Sequence, residues 1–313
     1  MDLVSVDDVR AAAADIAHVV VRTPLLSCPW DEGLFIKPEN LQPVGSFKLR
    51  GATHAVAQLS AEQRARGVVT HSSGNHGQAL AYAARVVGSP CTVVIPEGAP
   101  DVKIERVRAL GAEVILVPAA RRLAEAERIA AEQRRVLVPP FDDRRVIAGQ
   151  GTIGLELVAD LPDVEVVLVP VGGGGLAAGV ATAVKALRPG VAVIGVEPAY
   201  AADARDSLAA GQVVVWDPAR TYRTSADGLR TNLSPLTLRH LRELLDAIVT
   251  VTEAEIAAAM GRLVSQCRLV VEPSGAVATA ARIFRADELP SGRTVAVVSG
   301  GNVDPALLAA TLR

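Results

Sequence analysis

Several features that characterise other classes of protein are scarce or missing in this chain of 313 residues. Its cysteines (Cys28, Cys91 and Cys267) are odd in number and not closely spaced, so they indicate neither a disulfide framework nor a zinc knuckle. The formal net charge of −2 shows no bias towards nucleic acid or an anionic membrane, and no apolar run is long enough to span a bilayer. Acidic residues stand near the N-terminus, where a signal peptide would carry basic ones. We therefore expect a soluble, cytoplasmic protein that binds neither nucleic acid nor a membrane.

Lysine is also rare. The sequence has 32 lysine and arginine residues together, of which the lysines are Lys37, Lys48, Lys103 and Lys185. Since arginine serves almost wherever a plain cation is enough, a retained lysine is a candidate for chemistry that needs a primary amine. Lys48 lies in a loop that runs into a predicted helix, with small and hydroxyl residues before it, so a planar ligand could approach its amine. A surface lysine on a first helical turn would give the same sequence pattern. The other motifs of the chain therefore decide between the two interpretations.

Aromatic residues make up only 3% of the chain, whereas the hydrophobic fraction is 50% and consists mainly of Ala, Val and Leu. This composition suits an α/β protein with Val-rich buried strands and Ala-rich helices. Strand-like runs alternate with helical runs, which predicts two open, twisted, mainly parallel sheets flanked by helices. The predicted strands are 67–71, 91–95, 113–117, 164–171, 192–196, 247–251 and 293–298. The predicted helices include 78–87, 101–110, 176–187 and 253–266, and Gly88 and Gly111 are expected left-handed C-caps.

Four consecutive glycines, at positions 172–175, follow the predicted strand 164–171 and precede a helix that begins at Leu176. Their bare backbone N–H groups can turn towards an anion, which the positive end of the helix would also favour. The spacing is neither that of the dinucleotide fingerprint nor that of a Walker loop, so we expect a site for a single phosphate group. The alternative is a flexible turn, but four glycines cost backbone entropy that a mere connection does not require.

Two further predicted strands end in small polar residues. The first runs into Thr70-His71-Ser72-Ser73-Gly74-Asn75-His76-Gly77, which can hold a carboxylate through backbone N–H groups, although Ser and Asn are also ordinary helix caps. His71 and His76 are poorly spaced for two metal ligands on one helix face. The second runs into Ser299-Gly300-Gly301-Asn302. Because ligands bind at the carboxyl ends of such strands, the turns are expected to share one cleft, with an amine, two anion cradles and a hydroxyl, as pyridoxal phosphate requires.

Two acidic residues, Glu197 and Asp203, follow the predicted strand 192–196. Two carboxylates this close, with a backbone carbonyl between them, suit an octahedral hard cation that keeps several waters. Two acids on a solvated loop would have the same spacing, so the spacing alone leaves both interpretations open.

Five motifs occur in a fixed order along the chain. They are Ser46-Phe47-Lys48-Leu49-Arg50-Gly51-Ala52, Ser72-Ser73-Gly74-Asn75-His76-Gly77, Gly149-Gln150-Gly151-Thr152, Gly172-Gly173-Gly174-Gly175 and Ser299-Gly300-Gly301-Asn302. Together they resemble the pyridoxal-phosphate-dependent threonine/serine dehydratase and serine racemase family, over nearly the whole chain. The resemblance implies the type II fold of these enzymes, similar to the tryptophan synthase β chain, and a homodimer. It also implies a large cofactor-binding domain (1–66 and 145–313) and a small mobile domain (67–144) that closes over the substrate.

The resemblance implies roles for individual residues. Lys48 matches the Schiff-base lysine, and Ser73 matches the hydroxyl that acts on the opposite face in the racemases. The implied cofactor-binding residues are Phe47, Lys48, Asn75, Gly172, Gly173, Gly174, Gly175, Leu176 and Ser299. The implied substrate-binding residues are Ser72, Ser73, Gly74, Asn75, His76 and Arg122, and Asp227, Gly228, Glu272 and Pro273 fall on positions that line the pocket. The implied site for Mg²⁺ (or Ca²⁺ or Mn²⁺) is Glu197, Asp203 and the carbonyl of Ala201.

The resemblance implies a threonine/serine ammonia-lyase, which converts a β-hydroxy amino acid into a 2-oxo acid and ammonia. The neutral hydroxyl of Ser299 is a weaker partner for the pyridine nitrogen than a carboxylate, which favours elimination, although the racemases of the family share it. Serine racemase is therefore the first alternative and 3-hydroxyaspartate dehydratase the second. Arg122 could pair with a second substrate carboxylate, or it could be one of many solvated arginines.

Overall fold

The structure is a computed structural model that describes residues 3–72, 74–99 and 101–312. Its strands are β1 Leu26–Cys28, β2 Asp31–Pro38, β3 Val68–Thr70, β4 Cys91–Pro96, β5 Glu113–Val117, β6 Val136–Leu137, β7 Val166–Pro170, β8 Ala192–Pro198, β9 Ala247–Val251 and β10 Thr294–Val298. Its α-helices are α1 Val6–Ile16, α2 Lys48–Ala57, α3 Ala61–Arg66, α4 Asn75–Val86, α5 Asp101–Ala109, α6 Arg122–Glu132, α7 Arg144–Asp160, α8 Gly175–Leu187, α9 Asp203–Ala210, α10 Pro218–Thr221, α11 Pro235–Leu244, α12 Glu253–Cys267, α13 Pro273–Phe284 and α14 Pro305–Thr311. Short 3-10 helices span Glu39–Leu41, Ala119–Arg121, Asp227–Leu229 and Ala286–Glu288.

The strands form two sheets. The six-stranded sheet has the order β1-β2-β10-β7-β8-β9, and its neighbouring strands are parallel except for the β1–β2 pair. The four-stranded sheet has the order β5-β4-β3-β6 and is parallel throughout. The predicted fold class, two mainly parallel sheets flanked by helices, is therefore confirmed. None of the described helices is long and apolar enough to cross a membrane.

Most predicted elements differ from the observed ones by one or two residues, but the helix predicted at 78–87 begins three residues early, at Asn75. The sequence pattern places Gly77 in the loop before this helix, whereas the structure places it in the first helical turn of α4. A Cβ at this position would stand 2.1 Å from the carbonyl oxygen of Ser72, so the glycine permits a close backbone approach inside a helix. Gly88 and Gly111 both have positive φ angles, 68° and 87°, which confirms the predicted left-handed caps.

Buried side chains cover both faces of the large sheet. Along β7, Val167 and Val169 belong to one core cluster, together with residues of α1, α7 and α8. Val166 and Leu168 belong to a second cluster on the opposite face, together with residues of α12 and α13. This double burial explains why the strands read as continuous apolar runs without alternation.

The helix that begins with Lys48 packs unusually closely on α7. A Cβ added to Gly149 would stand 2.6 Å from the Cα of Gly51, so only glycine allows the two backbones to approach this far. The side chain of Gln150 accepts a hydrogen bond from the backbone N–H of Gly51 at 3.2 Å. The 149–152 motif therefore fixes the first turn of α2, and with it Lys48, against the body of the protein.

Arg50, two residues after Lys48 on α2, is the centre of a buried ion network. Its guanidinium donates to both carboxylate oxygens of Glu39 at 2.8 Å each and to those of Glu156 at 2.6 and 2.9 Å. Lys37 from β2 donates to Glu156 at 2.6 Å and to the carbonyl of Thr23 at 2.7 Å. Arg50, Lys37 and Glu39 are completely buried, so the four charges compensate one another without water. The network joins β2, α2 and α7.

We predict that the substitution Arg50→Met lowers the free energy of unfolding by about 3–5 kcal/mol, because it leaves the Glu39 carboxylate buried without its cation. Urea unfolding of the purified proteins measures the change. Arg64→Met is the matched control on exposed helix α3 and should change the free energy by less than about 0.5 kcal/mol. Equal effects of the two substitutions would contradict the importance of the network.

Candidate active site

One pocket, with a volume of about 330 Å³, lies where the carboxyl ends of β3, β7 and β10 meet the start of α2. This is the position at which open parallel sheets bind their ligands. The pocket brings together the predicted cofactor-binding residues Phe47, Lys48, Asn75, Gly173 and Ser299. It also brings together the predicted substrate-binding residues Ser72, Gly74, Asn75, His76 and Arg122.

The amine of Lys48 lies in the pocket without an ionic partner in the described part of the chain. Its Nζ donates a hydrogen bond to the carbonyl oxygen of Pro140 at 2.6 Å, and it lies 5.0 Å from the centre of the Phe47 ring. Burial lowers the pKa of Lys48 to about 8, because desolvation disfavours the ammonium form. A substantial neutral fraction near neutral pH makes this amine a nucleophile and a proton acceptor.

The glycine turn between β7 and α8 forms an anion cradle. Gly174 is the N-cap of α8 and has a φ angle of 85°, a left-handed conformation that favours glycine. A Cβ on Gly173 would stand 2.4 Å from the ring of Phe141, and a Cβ on Gly175 would stand 2.9 Å from Phe141 Cβ. The glycines are therefore required, and they leave backbone N–H groups at the helix start for a phosphate.

The predicted cradle residues differ in whether they line the pocket. Gly172, Gly174, Gly175 and Leu176 are not among the residues that line the pocket, whereas Gly173 is. Gly175 and Leu176 are buried in the first turn of α8. Their predicted contribution is a backbone N–H, which does not require an exposed side chain.

The turn before α4 supplies a second group of backbone donors. Its Ser72 Oγ accepts a hydrogen bond from the N–H of Gly74 at 3.4 Å, and Gly74 is the N-cap of α4. The imidazole of His76 points into the small-sheet core, where its Nε2 lies 3.0 Å from the carbonyl of Val138. Burial, with the nearby charge of Lys48, lowers the pKa of His76 to about 3, so this ring is neutral. The predicted catalytic residue Ser73 lies outside the described residues.

Asn75 connects the two sides of the pocket. Its amide nitrogen donates to Glu272 Oε1 at 2.6 Å, and its amide oxygen accepts from Asn302 at 2.7 Å. Burial, together with the neighbouring carboxylate of Asp227, raises the pKa of Glu272 to about 7. Asn75 is thus already hydrogen-bonded within the protein, and a ligand oxygen would share or displace these contacts.

Ser299, at the end of β10, is buried in the pocket wall. Its hydroxyl donates to the carbonyl oxygen of Ser274 at 3.2 Å. In turn, the hydroxyl of Ser274 accepts a hydrogen bond from the N–H of Gly228 at 3.0 Å. A neutral oxygen therefore faces the position that the resemblance assigns to a pyridine nitrogen.

The pocket is also lined by three cations, of which the sequence analysis assigned only Arg122 to the site. Lys103 and Arg106 from α5 line the pocket, as does Arg122 at the start of α6. Lys103 pairs with Asp227 at 2.8 Å, a contact from α5 to the large-sheet part of the chain. Arg122 Nε donates to the carbonyl of Ala119 at 3.1 Å. A helix face that lines a pocket is hard to identify in sequence, because Lys103 and Arg106 follow the ordinary pattern of a solvated helix.

The predicted metal ligands Glu197 and Asp203 lie apart from the pocket-lining residues. Glu197 is completely buried and accepts backbone hydrogen bonds from Ala204 and Arg205, both at 2.9 Å. Burial, together with Asp203, raises the pKa of Glu197 well above its usual range, and burial raises that of Asp203 to about 6. Both carboxylate oxygens of Asp203 are buried without a hydrogen-bond partner in the described residues. Two neighbouring buried carboxylates, of which Asp203 has unpartnered oxygens, fit a divalent cation.

Ala201, the third predicted ligand, is also buried. No group of three or more His, Cys, Asp or Glu side chains that could hold a metal occurs among the described residues. A site here would therefore take its further ligands from backbone carbonyls and water, as hard cations accept.

The pocket, its amine and its glycine cradle agree with comparisons with known proteins. The family model of the pyridoxal-phosphate-dependent enzymes matches residues 16–300. The chain belongs to this family, so pyridoxal phosphate is its cofactor, and the predicted family and fold class are confirmed.

Individual relatives point to one group within this family. The chain is 43% identical to an L-threonine ammonia-lyase of Thermotoga maritima, over 96% of this chain and 76% of the relative. It is 42% identical to a serine racemase of Arabidopsis thaliana, over 95% of this chain and 92% of the relative. A solved structure of maize serine racemase matches with a TM-score of 0.94 and 38% identity, over 99% of this chain and 97% of that one. The predicted class of enzyme, a lyase of the dehydratase and racemase group, is confirmed at this level.

We predict that Gly174→Ala weakens the binding of pyridoxal phosphate at least about tenfold, because a left-handed residue with a Cβ distorts the cradle. The Cβ would also stand 2.8 Å from Leu233. Fluorescence titration of the cofactor-free protein measures the affinity. The control is Gly190→Ala, where a Cβ would meet no heavy atom within 4 Å, and this variant should bind the cofactor normally. Unchanged affinity in Gly174→Ala would contradict the phosphate assignment.

Proposed function

We propose that this protein is a pyridoxal-phosphate-dependent threonine/serine ammonia-lyase. The observation that carries the proposal is Lys48, a buried amine with a pKa of about 8, in one pocket with the glycine turn of α8. The residues fit the cofactor, since a Cβ would fill the cradle at Gly173 and the amine has no competing ion pair within the described part of the chain.

The bound cofactor would be held by backbone N–H groups of residues 172–176 at its phosphate and by Ser299 at its pyridine nitrogen. Phe47 would pack beside the ring, and Asn75 would contact the 3-oxygen. Pyridoxal phosphate supplies the electron sink that stabilises negative charge at the substrate Cα. In the structure the Ser299 hydroxyl donates to Ser274; with the cofactor bound it would turn to donate to the pyridine nitrogen instead. A neutral hydroxyl donor would leave that nitrogen largely unprotonated, which would limit the spread of negative charge into the ring and favour departure of the β-hydroxyl.

The substrate would be oriented by the turn at 72–76, whose backbone N–H groups at the start of α4 would hold the α-carboxylate. Lys48 Nζ would then remove the proton from Cα, as its lowered pKa allows. Loss of the β-hydroxyl with a proton leaves an enamine, which water converts into a 2-oxo acid and ammonia.

A divalent cation, with Mg²⁺ as the first candidate and Ca²⁺ or Mn²⁺ as alternatives, would bind Glu197, Asp203 and the carbonyl of Ala201. The unpartnered carboxylate oxygens of Asp203 support this proposal. The cation would offset the repulsion between the two acids and stabilise the segment between β8 and α9.

Three further proposals concern the domain organisation, the oligomeric state and the location of the protein. Residues 67–144, which include the four-stranded sheet, are proposed to form the mobile domain that closes over the substrate, while 1–66 and 145–313 form the cofactor-binding domain. The active protein is proposed to be a homodimer. Its location is proposed to be the cytoplasm, since the sequence composition favours a protein without disulfides.

Serine racemase is the second candidate. The identity with the Arabidopsis thaliana serine racemase supports it, as does the position of Ser73 in the sequence between Ser72 and Gly74, which both line the pocket of Lys48. A second proton-transferring group on the opposite face of the substrate would allow both enantiomers of serine to react.

We predict rapid release of a 2-oxo acid from L-threonine or L-serine by the enzyme with pyridoxal phosphate and Mg²⁺. Lys48→Ala should lower kcat at least about 10²–10⁴-fold, because it removes the proton acceptor. The matched control is Lys185→Ala, which removes another of the rare lysines, outside the pocket, and should keep most of the activity. Persistent activity in Lys48→Ala, or slow release from every substrate, would contradict the lyase proposal.

A second measurement separates lyase from racemase. If the protein is a racemase, Ser73→Ala should abolish the interconversion of L- and D-serine but retain elimination from one enantiomer, because only one of two proton-transferring groups is lost. Chiral chromatography of the remaining serine, with a parallel 2-oxo acid assay, follows both reactions. Loss of both reactions to the same extent would count against a specific role of Ser73 in racemisation.

A further inference from the structure

The side chain of Asn75 lies between two polar side chains that come from a distant part of the chain. Its amide nitrogen donates to Glu272 Oε1 at 2.6 Å, and its amide oxygen accepts from Asn302 Nδ2 at 2.7 Å. All three residues line the pocket that contains Lys48. Asn75 belongs to the first turn of α4, whereas Glu272 precedes α13 and Asn302 follows β10. The three side chains therefore connect α4 to the large-sheet part of the chain at the pocket.

These two contacts determine which way the Asn75 amide faces. If the amide were reversed, its oxygen would face the Glu272 carboxylate, and its NH2 group would face the NH2 group of Asn302. The first contact would set two acceptors against each other, and the second would set two donors against each other. The observed orientation is therefore the one that satisfies both neighbours when Glu272 is ionised.

Both neighbours of the Asn75 amide are themselves held in place. The side chain of Glu272 belongs to a residue that is only 4% exposed, and its backbone N–H donates to the carbonyl oxygen of Gly300 at 3.1 Å. Asn302 Nδ2 also donates to the carbonyl oxygen of Val44 at 2.9 Å, which holds the Asn302 amide in one orientation. Val44 belongs to the loop that leads into α2. The frame around Asn75 is therefore anchored to the backbone on both sides.

One hydrogen of the Asn75 amide nitrogen is left for a ligand. Glu272 accepts from this nitrogen, and no second hydrogen bond of the nitrogen occurs within residues 3–72, 74–99 and 101–312. In the proposed function, Asn75 contacts the 3-oxygen of pyridoxal phosphate. A reversed amide would present its own oxygen at this place, and that oxygen would repel an ionised 3-oxygen.

We propose that Glu272 and Asn302 are positioning residues, which direct the remaining N–H of Asn75 towards the 3-oxygen of the cofactor. The inference rests on the proposed function for the cofactor contact and deepens it by naming residues that act through Asn75. A hydrogen bond from the amide to the charged oxygen would stabilise the ionised form of the cofactor. Because such contacts tune the electronic state of a cofactor, the orientation of Asn75 would affect both the affinity for pyridoxal phosphate and its absorption spectrum.

A double-mutant cycle tests whether Glu272 acts through Asn75. Glu272→Gln keeps the size of the side chain, but its amide can accept or donate and no longer selects one orientation of Asn75. At a pH above the Glu272 pKa of about 7, the variant should bind pyridoxal phosphate about tenfold more weakly and lose part of the long-wavelength absorption of the ionised cofactor. In the Asn75→Ala background, the same substitution should change neither property, because the amide that it positions is gone. Fluorescence titration and absorption spectroscopy measure the two properties.

A second variant and a control accompany the cycle. Asn302→Ala removes the donor on the other side of the amide, so it should give the same cycle with Asn75→Ala even if Glu272→Gln folds poorly. Glu243→Gln makes the same charge change at an exposed position of α11 outside the pocket. This control should bind the cofactor with the affinity and the spectrum of the unmodified protein.

The outcomes separate the positioning role from the reaction, because neither readout requires turnover. Losses that persist in the Asn75→Ala background, no loss in either single variant, or the same loss in Glu243→Gln would overturn the positioning role. An enzyme with the expected cycle but without 2-oxo acid release from any substrate would overturn the proposed reaction and retain the positioning role.

Discussion

The position of the reactive amine depends on a buried cluster of four charges beneath it. Arg50, two residues after Lys48 on α2, holds Glu39 and Glu156 in two bidentate ion pairs, and Lys37 completes the balance. Desolvating such charges is costly, so the cluster is stable only when every partner is in place. It therefore fixes β2, α2 and α7 relative to one another in a single arrangement. The first turn of α2 cannot shift without breaking these contacts, and Lys48 is held accordingly.

The pKa of Lys48 is set by burial and not by a neighbouring cation among the described residues. An arginine that bound the phosphate or the α-carboxylate would place a positive charge beside the amine. This charge would lower the pKa of Lys48 further, and the arginine would also bind the anionic groups of the ligand. In the proposed function, backbone N–H groups of two helix starts would instead bind both anions. Burial alone then lowers the pKa of Lys48 to about 8. The amine keeps the basicity needed to accept a proton while still having a neutral fraction near neutral pH.

The turns that end β3, β7 and β10 could be assigned to one cleft from sequence, because parallel strands place their carboxyl ends at one edge of a sheet. The lysine of α2 was predictable from its rarity and its motif. Arg106 was not, because its place on the pocket side of α5 depends on the rotation of that helix against the small sheet. The position of Phe141, which closes the space beneath Gly173 and Gly175, could not be predicted either. Its contact with the glycines joins parts of the chain that the sequence pattern does not connect.

The two sides of the pocket differ in how well they tolerate substitution. On the glycine side, a Cβ at Gly173 or Gly175 would stand less than 3.0 Å from Phe141, so substitution damages cofactor binding for every substrate. On the other side, Arg106 and Arg122 are partly exposed side chains on helix surfaces, where exchange costs little stability. Such a division is consistent with relatives that share one fold and differ in activity. In this chain, the side chains of α5 and α6 that line the pocket can therefore be exchanged at a lower cost in stability than the glycines against Phe141.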